Sequence, residues 1–221
     1  MLSDYAAMVF DCDGVVLDSN RVKTEAFHLA ALPYGTEAAA ALVAYHVANG
    51  GISRYLKFQH FLEHIVPAGQ TGPGQKALLA TYAGAVREGL MACAVAEGLE
   101  ELRSANPNQR WLIASGGDQA ELRDIFTARG LAQLFDGGIF GSPDSKDVIL
   151  AREQENGNIP AKALFLGDSR YDHIAASQAG LDFTFISGWS EFSGWQDYVA
   201  RHQLPHSQSI RHFADTAGFS L

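Results

Sequence analysis

Two cysteines in 221 residues, Cys12 and Cys93, cannot build a disulfide framework or a zinc site of the usual spacing. No Asn-x-Ser/Thr acceptor occurs, and no apolar run approaches the length of a membrane span. Asp4 interrupts the approach to the first apolar stretch, so no amino-terminal signal is expected. Basic residues are scarce, with 16 Lys and Arg against 25 Asp and Glu, a formal net charge of −9. That balance argues against nucleic acid or an anionic membrane as the main partner. An anionic small substrate stays open, provided its site supplies local cations or a metal. Internal repeats and low-complexity tracts are also lacking. The expectation is a cytoplasmic protein, monomer or homodimer, that acts on a small molecule.

What is present is a globular composition, 47 % hydrophobic and 19 % charged. The length suits one good core plus a smaller subdomain. Residues 20–91 read as helix. The Ala-rich stretch 36–49 favours helix, with Thr36 placed to cap it and Gly50-Gly51 to stop it. Ser53 is placed to cap the next helix, in which Tyr55, Phe58, Leu62 and Ile65 fall at helical spacing. A breaker-rich loop, 67–74, separates this from a third helical pattern that starts at Gln75. From Glu97 onward, short apolar strands alternate with helices, which implies a parallel sheet with right-handed crossovers. The expected architecture is an α/β, Rossmann-like core (residues 1–19 and 92–221) with an inserted all-helical cap (residues 20–91).

Within that architecture one stretch dominates. The run Ala6–Phe10 reads as a buried strand and ends abruptly in Asp11-Cys12-Asp13-Gly14. Two carboxylates held close at a strand end are costly unless a cation or shared proton relieves them. The same four residues would also suit an ordinary surface turn, so the decision rests on three later stretches. Ser115-Gly116-Gly117 follows the apolar run 111–114, Gly167-Asp168 follows the run 163–166, and Lys146 opens a helix after a short strand. Parallel sheets bind ligands at the carboxyl ends of their strands. Asp11, Ser115 and Asp168 therefore share one rim.

Together Asp11, Asp13, Ser115, Lys146, Asp168 and Asp172 form a consistent chemical set. Asp11, Asp168 and Asp172 offer carboxylate oxygens to a hard cation, and Mg²⁺ prefers few carboxylates, several waters and phosphate oxygens. Lys146 adds a cation at a helix N-terminus. The Ser115 hydroxyl and the Gly116 backbone N–H are donors for an oxyanion. The result is a phosphate-sized pocket. A carboxylate such as Asp11 can attack phosphorus, and Asp13 can then protonate the leaving alkoxide and later deprotonate water.

These residues occur in four separated motifs, DCDGVVLDS, ASGG, the Lys of GSPDSK, and GDSRYD. In that order they resemble the haloacid dehalogenase superfamily, in the helical-cap branch that contains phosphoglycolate phosphatases and β-phosphoglucomutases. The resemblance spans roughly residues 6–187. It implies Mg²⁺ dependence, Asp11 as nucleophile and Asp13 as acid/base. It implies metal held by Asp11, the Asp13 backbone carbonyl and Asp168, with Asp172 in or just behind that shell. Ser115, Gly116 and Lys146 would hold the phosphoryl group. The dehalogenases lack an Asp at position 13, which favours phosphoryl transfer. Gly50–Arg54 resembles the G-x-S-R loop of β-phosphoglucomutases, which makes Arg54 either a contact to a second anionic group or a solvated charge. Asn20, Lys23 and His28 flank the start of the cap and read as surface residues or cleft residues.

Two other patterns carry less weight. His60–His64 matches H-x-x-E-H, but no further metal ligand is evident, and the stretch Gly69–Lys76 lacks the preceding strand of a phosphate-binding loop. The expected function is a Mg²⁺-dependent phosphatase of a small phosphorylated metabolite, most plausibly a sugar phosphate. A phosphosugar mutase and a non-catalytic phospho-acceptor or metabolite-binding module are the alternatives.

Overall fold

Strand β1 (Ala7–Phe10) has no residue accessible to solvent and lies inside a six-stranded sheet. The computed structural model describes residues 4–216; the expected core limits at residues 1–3 and 217–221 lie outside the described residues. The remaining strands are β2 (Arg110–Asp118), β3 (Gly138–Ser142), β4 (Ala163–Gly167), β5 (Asp182–Ile186) and β6 (His206–Ser207). Their order is β3-β2-β1-β4-β5-β6, and every neighbouring pair is parallel.

The runs are continuously apolar because both sheet faces are covered. Alternate side chains enter two separate cores. Met8, Phe10, Trp111, Ile113, Leu164 and Leu166 join one cluster. Ala7, Val9, Leu112, Ala114, Ala163 and Phe165 join the other. Helices α5 (Leu99–Ala105), α6 (Gln119–Ala128) and α10 (Ile210–Thr216) cover the first face. Helices α7 (Lys146–Glu155), α8 (Arg170–Gln178) and α9 (Trp195–His202) cover the second. Strand order reverses at β1, so a crevice opens beyond the carboxyl end of that strand.

The helical cap is inserted between β1 and β2 and comprises α1 (Asn20–Ala31), α2 (Thr36–Ala48), α3 (Arg54–His60) and α4 (Gln75–Ala92). Its centre is an aromatic cluster in which the Phe27 ring lies 5.1 Å from Phe58 and 4.5 Å from Tyr82. Where α4 returns to the core, Arg129 donates to Leu90 O at 2.6 Å and Cys93 O at 2.7 Å. This satisfies carbonyls that a helix end leaves without partners.

Three local expectations shift. Gly35, not Thr36, is the N-cap of α2: its φ of +94° and ψ of 160° are open to glycine, and no side chain caps the helix. The buried face of α3 and the following π turn (Phe61–Ile65) runs through Arg54, Lys57, Phe58 and Phe61. Tyr55, Leu62 and Ile65 are only partly buried, with Leu62 and Ile65 packed against the same core cluster as Phe58, so the apolar spacing marks one border of the buried face and leaves out Arg54 and Lys57. For the segment after Ser187 the sequence suggests no role beyond covering the sheet edge, whereas β6 pairs with β5 as a sixth strand and Trp195 stacks on Phe185 at 5.8 Å.

Phe58 is fully buried between Phe27 and Tyr82, whereas Leu56, two residues away, is 55 % exposed. Phe58→Ala is expected to destabilise the protein by about 3–5 kcal/mol, and Leu56→Ala by no more than about 0.5 kcal/mol. Urea unfolding of the two variants checks the difference.

Candidate active site

Strand β1 delivers Asp11 to the crevice with its carboxylate almost fully buried. Gly14, at φ +77°, then turns the chain so tightly that a Cβ there would lie 2.1 Å from Asp168 Oδ2. A side chain at this position would collide with the site, so glycine is required. Strand β4 delivers Asp168, and the first turn of α8 delivers Asp172. Ligand oxygens of Asp11, Asp168 and Asp172 all lie within 4.8 Å of one another.

Lys146, at the start of α7, holds this acidic cluster together. Its ammonium is fully buried, 2.9 Å from Asp11 Oδ1 and in direct contact with Asp172 Oδ1. Asp172 also closes a capping box, its Oδ2 accepting from Ser169 N at 3.0 Å and Ser169 Oγ at 2.7 Å. Both Asp172 oxygens are thus occupied, which sets this residue behind Asp11 and Asp168. Asn20 donates to Asp168 Oδ2 at 2.8 Å, and Cys12 N–H donates to Asp11 Oδ1 at 2.7 Å. Neither Asp11 Oδ2 nor Asp168 Oδ1 accepts a hydrogen bond from the described residues.

One lysine does not neutralise three buried carboxylates. Burial and the charge of Asp172 push Asp11 up to about 7, and burial with the charges of Asp11 and Asp172 holds Asp168 well above the carboxylate range. Oxygen-only ligands, excess negative charge and an open face fit a hard divalent cation. The H-x-x-E-H stretch, by contrast, forms no comparable group. The acidic triad is the only cluster of potential ligands found among the described residues, while His60 stacks on Tyr45 at 3.9 Å.

Asp13 faces the cap. Ser19 Oγ donates to its Oδ1 at 2.6 Å and Lys23 Nζ to its Oδ2 at 2.5 Å. These contacts and the Lys23 charge outweigh burial and hold Asp13 below the usual carboxylate range. Lys23 is itself buried. Asn20 and Lys23 are therefore site residues, and His28 does not line the cavity.

Between cap and core lies a cavity of ≈ 230 Å³, lined by Asp11, Asp13, Asp168 and Gly116 from the core and by Lys23, His46, Arg54, Lys57 and Tyr82 from the cap. Ser115 is fully buried behind this wall, its Oγ accepting from Gly117 N–H at 3.0 Å. Arg54 reaches the cavity, but its guanidinium is 2.6 Å from Glu121 on α6 and 5.1 Å from the Tyr82 ring centroid. Tyr55 OH donates to Asp118 at 2.6 Å, and Thr24 Oγ1 to Glu191 at 2.7 Å. These bonds hold the cap against the core. The segment after β5 also reaches the site, since Trp189 O accepts from Asn20 and Ser190 Oγ donates to Asp168 O at 2.6 Å. Sequence reasoning missed this segment because it carries no motif, only ordinary loop residues.

A family model for haloacid dehalogenase-like hydrolases matches residues 5–180. The chain belongs to that family. Its fold recurs in a predicted phosphatase from Clostridium acetobutylicum, 19 % identical, with a TM-score of 0.74 and coverage of 96 % of this chain and 98 % of that one. It recurs in a hydrolase from Pseudomonas syringae, 18 % identical, with a TM-score of 0.74 and coverage of 96 % and 97 %. A predicted phosphoglycolate phosphatase from Haemophilus somnus is 17 % identical, with a TM-score of 0.67 and coverage of 84 % and 87 %. No curated protein matches the chain. Haloacid dehalogenase-like hydrolases generally use a divalent metal, which agrees with the buried acidic cluster. No helix among the described residues is long and apolar enough to cross a membrane.

The cap loop meets the core at Gly116, where an added Cβ would lie 2.2 Å from the Gly51 carbonyl oxygen. Gly116→Ala is therefore expected to push the 49–52 loop away from the core without unfolding the sheet. Amide exchange should rise at residues 50–52 while the melting temperature changes little; an unchanged loop would mean that this contact does not limit closure.

Proposed function

We propose that this hydrolase is a Mg²⁺-dependent phosphatase that cleaves a small phosphorylated metabolite, such as a sugar phosphate, through an aspartyl-phosphate on Asp11. The observation that carries the reading is the Asp11–Lys146–Asp168 arrangement. It joins two buried carboxylates at the wall of the cavity between cap and core, Asp11 as nucleophile and Asp168, to a fixed ammonium directly behind Asp11. Phosphoryl transfer depends mostly on such positioning and charge neutralisation.

Mg²⁺ would be held by Asp11, Asp168 and the Asp13 backbone carbonyl, with Asp172 behind them, and when bound it neutralises phosphate charge. The chain itself does the rest. Asp11 attacks phosphorus as the bond to the leaving oxygen breaks, and Asp13, which Lys23 and Ser19 hold ionised in the free protein and which must therefore take up a proton in the substrate complex, gives that oxygen its proton. Asp13 then takes a proton from water, which attacks the phosphoryl group and releases Asp11. Gly116 and Lys146 stabilise the phosphoryl oxygens, and Ser115 supports the Gly116-Gly117 turn through its hydroxyl. Lys23 and Ser19 fix the Asp13 carboxylate, and the cap keeps bulk water from the intermediate. A cavity of ≈ 230 Å³ suits a small metabolite and not a protein or nucleic-acid chain.

Phosphate release from a panel of sugar phosphates, other small phosphomonoesters and nucleotides tests the reading. Release should require Mg²⁺, stop with EDTA and be abolished by Asp11→Asn. Asp13→Asn should slow turnover by about 10²–10⁴-fold, the usual worth of a positioned acid/base. Stoichiometric labelling of Asp11 without turnover would instead make the protein a phospho-acceptor. Isomerisation of a sugar phosphate without phosphate release would make it a mutase.

A further inference from the structure

Three buried cationic side chains of the cap line the cavity, and two of them are already paired with carboxylates. Lys23 is 2.5 Å from Asp13, and Arg54 is 2.6 Å from Glu121. The third, Lys57, is 2 % exposed and has no carboxylate partner among the described residues. Its Nζ lies 2.7 Å from His46 Nδ1 and 5.5 Å from the Phe27 ring centroid. His46 also lines the cavity, is 8 % exposed, and its Nε2 has no hydrogen-bond partner among the described residues. An amine buried against the Phe27 ring and a neutral imidazole is an expensive arrangement if stability alone is served. An orphaned ring nitrogen beside it adds to that expense.

We propose that Lys57, positioned by His46, is a specificity-determining residue that binds a second oxyanion on the leaving group of the substrate. That group would be either a carboxylate or a second phosphate. The inference rests on the phosphatase reading for the position of the first phosphoryl group and deepens it by stating the charge of the leaving group. It also moves the second-anion contact from Arg54 to Lys57, because Arg54 is engaged by Glu121 in this closed arrangement.

The electrostatics agree. Burial and the charge of Lys23 push Lys57 down to about 7, with Lys146 acting in the same sense and Asp13 and Glu191 opposing it. Burial keeps His46 neutral, well below its ordinary value. Tyr82, facing the same space from α4, is pushed up to about 12 and is also neutral. Near neutral pH, Lys57 is therefore only partly charged before substrate arrives. An incoming oxyanion favours the ammonium form, so binding draws in a proton. The preference for an anionic ligand should then weaken as pH rises above about 7, because protonation must accompany binding.

Calorimetry with non-hydrolysable phosphonates on the intact Mg²⁺-loaded protein tests this without any turnover. The probes are 3-phosphonopropionate, propane-1,3-diphosphonate and the near-isosteric propylphosphonate. The readout is the ratio of affinities, charged probe over propylphosphonate. At pH 7 at least one charged probe should bind about 10–100-fold more tightly, the worth of one charge-assisted hydrogen bond. The identity of that probe distinguishes carboxylate from phosphate. Lys57→Met should collapse the ratio to near unity, Lys57→Arg should retain part of it, and wild-type protein should show proton uptake in buffers of different ionisation enthalpy. Thermal melting of each variant confirms that it is folded. A ratio near unity in wild-type protein, or one unchanged in Lys57→Met, overturns the proposal. Failure of the phosphatase reading looks different: the phosphonate ratio persists while no phosphomonoester in the panel releases phosphate.

Discussion

A single buried ammonium makes this site feasible. Lys146 is fully enclosed and touches two carboxylates, Asp11 and Asp172, that come from different strands and helices. Without it, three buried carboxylates would face one another in a medium where like charges cannot all ionise. Breaking a buried pair commonly costs about 3–5 kcal/mol, so Lys146 ties the position of α7 to those of β1 and α8. Asp172 extends the tie by capping the first turn of α8 with its other oxygen. One ion pair thus links three segments that lie far apart in sequence, and Lys146 still leaves the cluster short of positive charge. That shortfall is what a divalent cation would make up, and an anionic phosphoryl group would need it made up before approaching.

The sheet explains why these residues can meet at all. Parallel strands end together at one edge, and the reversal of strand order at β1 opens a crevice beside Asp11. Insertion of the cap directly after this strand places α1 over the crevice, so Ser19, Asn20 and Lys23 reach Asp13 and Asp168 from the cap side. Core and cap are therefore coupled through the carboxylates of Asp13 and Asp168, as well as through peripheral contacts such as Tyr55 with Asp118. Any motion that lifts the cap must break bonds to Asp13 or distort the loop that carries it.

Much of this was legible in the sequence, for identifiable reasons. Apolar runs ending in Asp11, Ser115 and Asp168 announce buried parallel strands and place those residues on one rim without any contact information. Gly14 was legible as a turn residue, and the structure adds that a Cβ there would strike Asp168. Other features had no local signal. Asn20 and Lys23 resemble the exposed polar residues of any helix start. Trp189, Ser190 and Glu191 lie in an unremarkable loop, and only the register of β5 carries them to the site. The apolar run puts Ser115 just beyond a strand, but β2 runs on through it to Asp118, and its hydroxyl accepts from Gly117 N–H where the register of β2 and β3 is irregular between Ala114 and Asp118. At α3 apolar periodicity found the helix and Phe58 but left out Arg54 and Lys57, which share its buried face.

That omission is informative about the enzyme. A search for the buried side of a helix weights hydrophobic residues, and it misreads a helix whose buried side faces a polar cavity. Arg54 and Lys57 occupy positions i and i+3, which share a face, and Phe58 and Phe61 continue it into the cap core. The chain as a whole carries a net charge of −9. At the cavity, Asp11, Asp13, Asp168 and Glu191 are matched by Lys23, Arg54, Lys57 and Arg170. A protein that would repel a small anion at long range therefore gathers cations at the one place where an anion must be held. Low dielectric strengthens those local charges, while salt and water screen the distant ones. Under the proposed reading, selection between substrates falls to the cap face of the cavity, where Lys57 has no carboxylate partner among the described residues.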